Sequence, residues 1–312
     1  MLQADRRELI RRLSKWLETI HSASYFSRAV AESIGSVGVS HPSAIYLAGR
    51  AAPMGAVPAS VVAATFYNFN PAHVRRFVPE CWTAASPAEV TQARLAGVEA
   101  MLGGLFGAHG NGGHSAELPA LARRLADSLR PVLAAQLPDG RPLFAAHQEL
   151  LGAGVEVQDA SLQPFMDIWV AGTLLREYRG DGHIGALLTH DLSGAEAVVL
   201  HCITGTSFRP GAARKSRGWS EEEWELTIAG LRDRGLALGA GENAHITEQG
   251  AALREEIERD TDASVEASWS PVQDEALVEL AGSAKDFAKI VIEAEAFPAK
   301  VFAPGAGRTP RR

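Results

Sequence analysis

The chain has 312 residues, 46% of them apolar, enough for about two domains and too many for a disordered chain or a stapled mini-protein. Thirty lysines and arginines stand against 37 acids, a formal net charge of −7, so DNA binding would need a strong local basic patch. Two cysteines, Cys81 and Cys202, exclude a disulfide framework and a four-sulfur metal site; a reducing, cytoplasmic compartment is expected.

Helical periodicity dominates, and the fold class is mainly α. Leu9, Leu13, Trp16, Leu17 and Ile20 define an amphipathic first helix whose wetter side carries Arg6, Arg7, Arg11, Arg12 and Lys15. That basic face suits anionic lipid or a partner, although such helices more often pack on their own domain or a second subunit. No apolar run approaches the roughly 18 residues of a membrane span, and a soluble, unexported protein is expected. The order Val57 to Phe66, Pro71 to Pro79, Trp82, Ser86 and Pro87 to Leu102 echoes a later one: Ser193 to His201, Pro210 to Arg217, Trp219, Ser220 and Glu221 to Arg234. It suggests a degenerate second winged helix without its wing. Gly103 to Gly113 reads as a flexible connection, with no Lys and Ser/Thr after the last glycine to make a phosphate loop. The expected layout is an N-terminal helical domain over 1–113, a helical connector over 114–160, a winged helix-turn-helix over 161–262, a C-terminal helix over 263–303 and a mobile tail over 304–312.

The stretch from Leu192 to Asp262 is the most informative. Ser193 caps an apolar helix, a short helix ends at Gly218, and Ser220 with Glu223 forms a capping box on a third helix whose stripe is Trp224, Ile228 and Leu231. After Gly235, Leu236 to Ala244 and Ile246-Thr247 read as two short strands around Gly239-Ala240-Gly241, and Thr247 launches a helix through Glu258. Leu231-Arg232-Asp233-Arg234-Gly235-Leu236, followed by Ile246-Thr247-Glu248-Gln249-Gly250-Ala251-Ala252-Leu253, resembles the recognition helix, wing and following helix of MarR-type regulators. Gly49-Arg50-Ala51-Ala52-Pro53-Met54-Gly55, Phe66-Tyr67-Asn68-Phe69, Arg179-Gly180-Asp181-Gly182-His183 and Arg217-Gly218-Trp219 are similar to an actinobacterial family of helix-turn-helix proteins without an assigned role. The resemblance implies a DNA-binding fold and, by default, a ligand-responsive regulator.

The residues argue against DNA reading. In that fold the first two turns of the third helix enter the major groove, and here Ser220 to Leu226 includes four glutamates. Ser220 to Arg234 holds five acids and two bases where phosphates demand positive charge, and the wing lacks an arginine for the minor groove. Arg209, Arg214, Lys215 and Arg217 lie upstream as phosphate contacts or as a solvated face.

Polar residues mark a candidate pocket. Thr173 to His183 interrupts an apolar helix with two glycines; there Arg179 would hold an anionic or carbonyl group and His183 would exchange a proton with Asp181 orienting it, the bland alternative being a cap and a salt bridge. Arg50, Tyr67 and Asn68 offer an anion-binding guanidinium and hydrogen-bonding groups on aromatic walls, and His201 would point inward from an apolar helix. His183, His190 and His201 are spaced too far apart on a helix to share a metal ion, and no dinucleotide or hydrolase motif occurs. No metal and no cofactor is expected; haem on one axial His or Tyr has no spacing to test. The reading is a small-molecule-binding protein with DNA doubtful as a partner, no membrane partner and a homodimer left open. Cofactor-free acid–base chemistry by His183 and Asp181 is its enzymatic version.

Overall fold

A computed structural model gives the structure and describes residues 3–107 and 117–310. Among these the chain is mainly helical, and its strands are confined to one antiparallel pair, Ala237–Leu238 (β1) with His245–Ile246 (β2). No single described helix is long and apolar enough to cross a membrane.

The first helix, α1 (Gln3–Ser22), buries Ile10, Leu13, Leu17 and Ile20. Its basic face meets the protein itself. Arg7 pairs with Glu266 at 2.7 Å, Arg11 with Asp262 at 2.6 Å, and Arg6 with Asp274, fixing α1 along α13 (Glu248–Glu266) and α14 (Asp274–Glu293). Next come α2 (Arg28–Ser36), α3 (Pro42–Ala51), α4 (Ala59–Thr65), α5 (Pro71–Ala84) and α6 (Pro87–Phe106). A Cβ on Gly97 of α6 would stand 2.6 Å from the Val30 Cα, so α2 and α6 touch backbone to backbone. Gly103 and Gly104, expected in a loose connection, belong to α6, and Gly107 caps it; Gly110, Gly112 and Gly113 lie outside the described residues.

Beyond them, α7 (Leu118–Ala134) and α8 (Pro142–Leu151) pack on α9 (Gln163–Thr189). The break expected in this helix at Gly180 and Gly182 does not occur. A Cβ on Gly182 would come within 2.3 Å of Ser264 Oγ and 2.7 Å of Arg141 Nη1, so the glycine admits α13 and Arg141 against an unbroken helix. Neighbours that hold the helix on both sides outweigh the roughly 1 kcal/mol that a helical glycine costs.

The helix-turn-helix portion consists of α10 (Gly194–Cys202), α11 (Pro210–Arg217) and α12 (Glu221–Asp233). Ser193 with Glu196 and Ser220 with Glu223 close full capping boxes, and Gly218 at φ +75° makes the left-handed turn between α11 and α12. The hairpin is shorter than expected because Gly239 and Gly241 both take positive φ and residues 241–243 form a 3₁₀ turn. Helix α13 runs eight residues past the expected Glu258, burying Thr261, Asp262 and Val265 on the way.

Two apolar cores result. One gathers α1 to α8, α9 as far as Tyr178, and α14. The other joins Ala186 and Leu187 at the end of α9 to Val199, Trp224, Ile228, Leu231 and Ile257. The segment expected as a mobile tail is packed in part: Ala306 is buried, and Arg308 pairs with Glu18 and lies 4.9 Å above the Phe297 ring. One arginine that finds both an acid and an aromatic face anchors a composition otherwise suited to disorder.

Candidate functional site

Arg179, Asp181 and His183 share α9 but face two ways, because residues two apart on a helix lie about 200° around its axis. Arg179 and His183 turn toward α13. Arg179 Nη2 donates to Glu258 at 2.6 Å and Asp262 at 2.8 Å, and His183 Nδ1 is 2.9 Å from Thr261 Oγ1. Asp181 turns toward α8, where its Oδ2 accepts the Leu143 and Phe144 N–H groups at 3.0 and 2.9 Å. The expected His183–Asp181 proton pair is therefore not assembled: one residue braces α13 and the other caps α8. Burial pushes the Asp181 carboxyl up to about 6 and the His183 imidazole down to about 4. An open groove of about 460 Å³ runs past Asp181, Arg141 and Ser264, and Arg141 spends its guanidinium on the Tyr178 and Ser264 carbonyls.

Arg50 has a different fate. Its side chain is buried, with Nε 3.2 Å and Nη2 2.9 Å from the Glu177 carboxylate and its guanidinium 4.5 Å above the Phe66 ring. Arg176 reaches the same carboxylate at 2.6 Å. Burial alone would raise the Glu177 pKa, but Arg176 and Arg50 overcome it and hold the carboxyl well below the usual range.

Close to this triad lies Arg94, from α6, 5% exposed and with no ion pair to a carboxylate among the described residues. Its Nη1 donates to the Gly49 carbonyl at 2.9 Å and faces His147 Nε2 at 3.4 Å. Its Nη2 has no partner among the described residues, and neither has the indole N–H of Trp169, whose ring lies 5.2 Å beneath the guanidinium. Burial keeps His147 neutral, with its pKa down to about 4, and His21 neutral as well. The phenol of Tyr25, pushed up to about 12 by burial, donates to His21 Nε2 at 2.8 Å. Arg94 and Arg50 line a cavity of about 160 Å³ between α2, α3 and α6, together with Tyr25, Tyr46, Ile34 and Ile45.

Tyr67 and Asn68 serve a third place, the seam with the helix-turn-helix. Tyr67, at φ +30°, donates its hydroxyl to the Leu192 carbonyl at 2.6 Å, and the Asn68 carbonyl accepts the Trp219 indole N–H at 2.9 Å. Asn70 carries the seam onto α12: its amide donates to both Glu223 oxygens at 3.0 and 3.1 Å, while its backbone N–H donates to the Arg217 carbonyl at 2.9 Å. No Cβ fits on Gly194 or Gly218, which lie against the Tyr67 carbonyl and the His73 ring. Of the upstream bases, Arg217 lies over the Phe208 and Phe69 rings and Arg209 donates to the Phe302 carbonyl. Glu221 and Glu222 are exposed.

His201 keeps solvent-exposed surface, while Val198, Val199 and Cys202 take the buried side of α10; crowding around its ring nonetheless lowers the imidazole to about 3 by desolvation. Both cysteines are buried free thiols, raised to about 11 by burial. No group of three or more His, Cys, Asp or Glu among the described residues is placed to hold a metal ion. Thus Arg50 alone, of the residues singled out in the sequence, reaches the cavity; Arg94, Glu177 and Tyr25 were missed. Two of these left a signal. Arg94 stands on the stripe Val90, Arg94, Val98, and Glu177 lies between Leu174 and Tyr178, each a charge where the helical period requires an apolar residue.

Residues 10–298 match a family described as a helix-turn-helix family. No curated protein and no solved structure matches the chain.

Proposed function

The chain belongs to that helix-turn-helix family, and we propose that it is a small-molecule-binding protein on a MarR-like winged-helix scaffold that has lost DNA reading. The observation that carries the reading is the Asn70 amide seated on Glu223. The chain's own Asn70 engages Glu223 in the turn of α12 that would lead into a major groove, while Glu221, Glu222 and Glu223 stay exposed. What remains open there is anionic, through Glu221 and Glu222, and faces a polymer with one charge per roughly 1.7 Å of duplex axis. Of the upstream bases, Arg209 donates to a carbonyl, Arg217 lies over aromatic rings and Arg214 stands 3.7 Å from Glu221, while Lys215 is exposed. The cavity between α2, α3 and α6 supplies a place for a ligand within the same chain. Since Asp181 and His183 face different helices, binding rather than acid–base catalysis is the version that the geometry supports.

Titration of labelled duplexes from the flanks of its own gene, followed by fluorescence anisotropy across a salt series, tests the loss of DNA reading. The expected result is no sequence-selective binding at physiological salt. Tight, selective binding would restore the second reading, a ligand-responsive DNA-binding regulator, which family membership favours.

A further inference from the structure

The groove beside Asp181 is floored by one face of α9, where Asp181, Gly185 and Thr189 recur every four residues, flanked by Gly182 and Ala186. From Asp181 to Thr189 this floor is about 12 Å long, at 1.5 Å per residue. The turn before α8, with Asp139 and Arg141, makes one wall, and Asp260 and Ser264 of α13 make the other. The volume of about 460 Å³ lies within the roughly 300–1,000 Å³ of small-molecule sites. The two glycines of the floor differ. Gly182 has a packing reason in Ser264 and Arg141, whereas a Cβ on Gly185 would meet nothing within 4 Å. No described neighbour accounts for the roughly 1 kcal/mol that this glycine costs the helix. Its bare backbone suits a molecule laid flat on the floor.

Charge selects that molecule. Asp181 is 8% exposed, and both N–H groups that it accepts fall on Oδ2; Oδ1 has no hydrogen bond among the described residues and keeps accessible surface on the groove. With its pKa at about 6 the carboxyl is ionised at neutral pH, and an ionised carboxylate only accepts, so its ligand must bring N–H or O–H donors. At the far end of the floor, Asp260 is exposed and touches His190, the residue after Thr189, at 2.7 Å through Oδ2. Asp139 adds a third carboxylate on the α8 side. Arg141, the opposing cation, is turned onto the Tyr178 and Ser264 carbonyls and lies 3.8 Å over the Tyr178 ring. No three His, Cys, Asp or Glu among the described residues converge on a metal position. We propose that this groove binds a linear alkyl polyamine, with one ammonium group on Asp181 Oδ1, another at Asp260 and the methylenes between them along Gly185.

The site shares no lining residue with the cavity between α2, α3 and α6, so its failure would leave the reading above untouched. Its test is isothermal titration of the full chain with spermidine and with putrescine, at neutral pH and physiological salt. Spermidine should bind, and putrescine, too short to serve both ends, should bind roughly tenfold more weakly. Asp181→Asn should weaken spermidine binding roughly tenfold, and Asp260→Asn, at an exposed carboxylate, roughly threefold. Since Asp181 also caps α8 and its loss can disturb the fold, Gly185→Leu serves as the second variant. It keeps every carboxylate, improves helix propensity and fills the floor, and it should abolish binding. Undiminished binding by Gly185→Leu would mean that spermidine merely screens an acidic protein. That result, equal affinity for putrescine, or no binding of spermidine would each overturn the inference.

Discussion

Helices α6 and α12 follow the same local script. Each comes after a helix that begins with proline, Pro71 or Pro210, each is preceded by a tryptophan, and each starts from a complete Ser-x-x-Glu capping box. Their surroundings then part company. Helix α6 buries Val90, Arg94, Val98, Met101 and Leu102 and is clasped by α2 at Gly97, whereas α12 buries only Trp224, Ile228 and Leu231. One helix has taken a cation, Arg94, into the interior; the other displays acids at an exposed leading end. An identical starting signal therefore fixes where a helix begins and says nothing of which partner its charges will meet.

The sharpest way to break the contrast is to remove the anion that organises the interior. Glu177→Leu leaves Arg50 and Arg176 buried without a counter-charge and should cost about 3–5 kcal/mol in urea unfolding. A loss below about 1 kcal/mol would mean that both guanidinium groups swing out to water, and the cationic interior would be no special feature.

Acid distinguishes the two helices next. His147, beside Arg94, has a folded pKa of about 4, against 6.5 in an unfolded chain, because burial disfavours its charged form. Between those values the unfolded state binds a proton that the folded state refuses, so this contribution to stability is full above pH 6.5 and is lost as pH falls toward 4. Urea midpoints measured over pH 4–7 should drop toward acid, and His147→Gln should flatten the slope. Asp181, raised to about 6, acts in the opposite sense, since its folded form keeps a proton that the unfolded chain releases; its contribution to stability is lost as pH rises from the ordinary 3.8 through 6. At α12 the Ser220 N–H leads the groups that hold Glu223 below its ordinary range, so its contribution disappears only at lower pH, as the folded carboxylate is protonated.

The smallest effect sharpens the likeness. Ser86→Ala and Ser220→Ala each remove an N-cap and should each cost about 1 kcal/mol. Thermal unfolding of the pair would show whether the two boxes are equivalent; a clearly larger loss at Ser220 would come from the Asn70 seam that depends on Glu223's placement.

How much the sequence discloses follows the same division. Helix starts at Ser193 and Ser220, the turn at Gly218 and the stripe of Trp224, Ile228 and Leu231 are local signals, and the structure realises them. Asp181 and His183 are neighbours in the chain but not in space: on the continuous α9 they diverge to α8 and α13. Tyr67 and Asn68 looked like pocket groups, yet their role is set by Leu192 and Trp219, more than a hundred residues away. Arg94 was readable as a cation on an apolar stripe, but its missing partner is visible only once Glu177 has been shared out between two other arginines.

Helix α9 carries the last consequence. Its 27 residues, about 40 Å at 1.5 Å each, supply Trp169 and Leu174 to one core and Ala186 and Leu187 to the other. A rod common to both cores acts as a keel, so a substitution that unseats α9 in one core takes timber from the other.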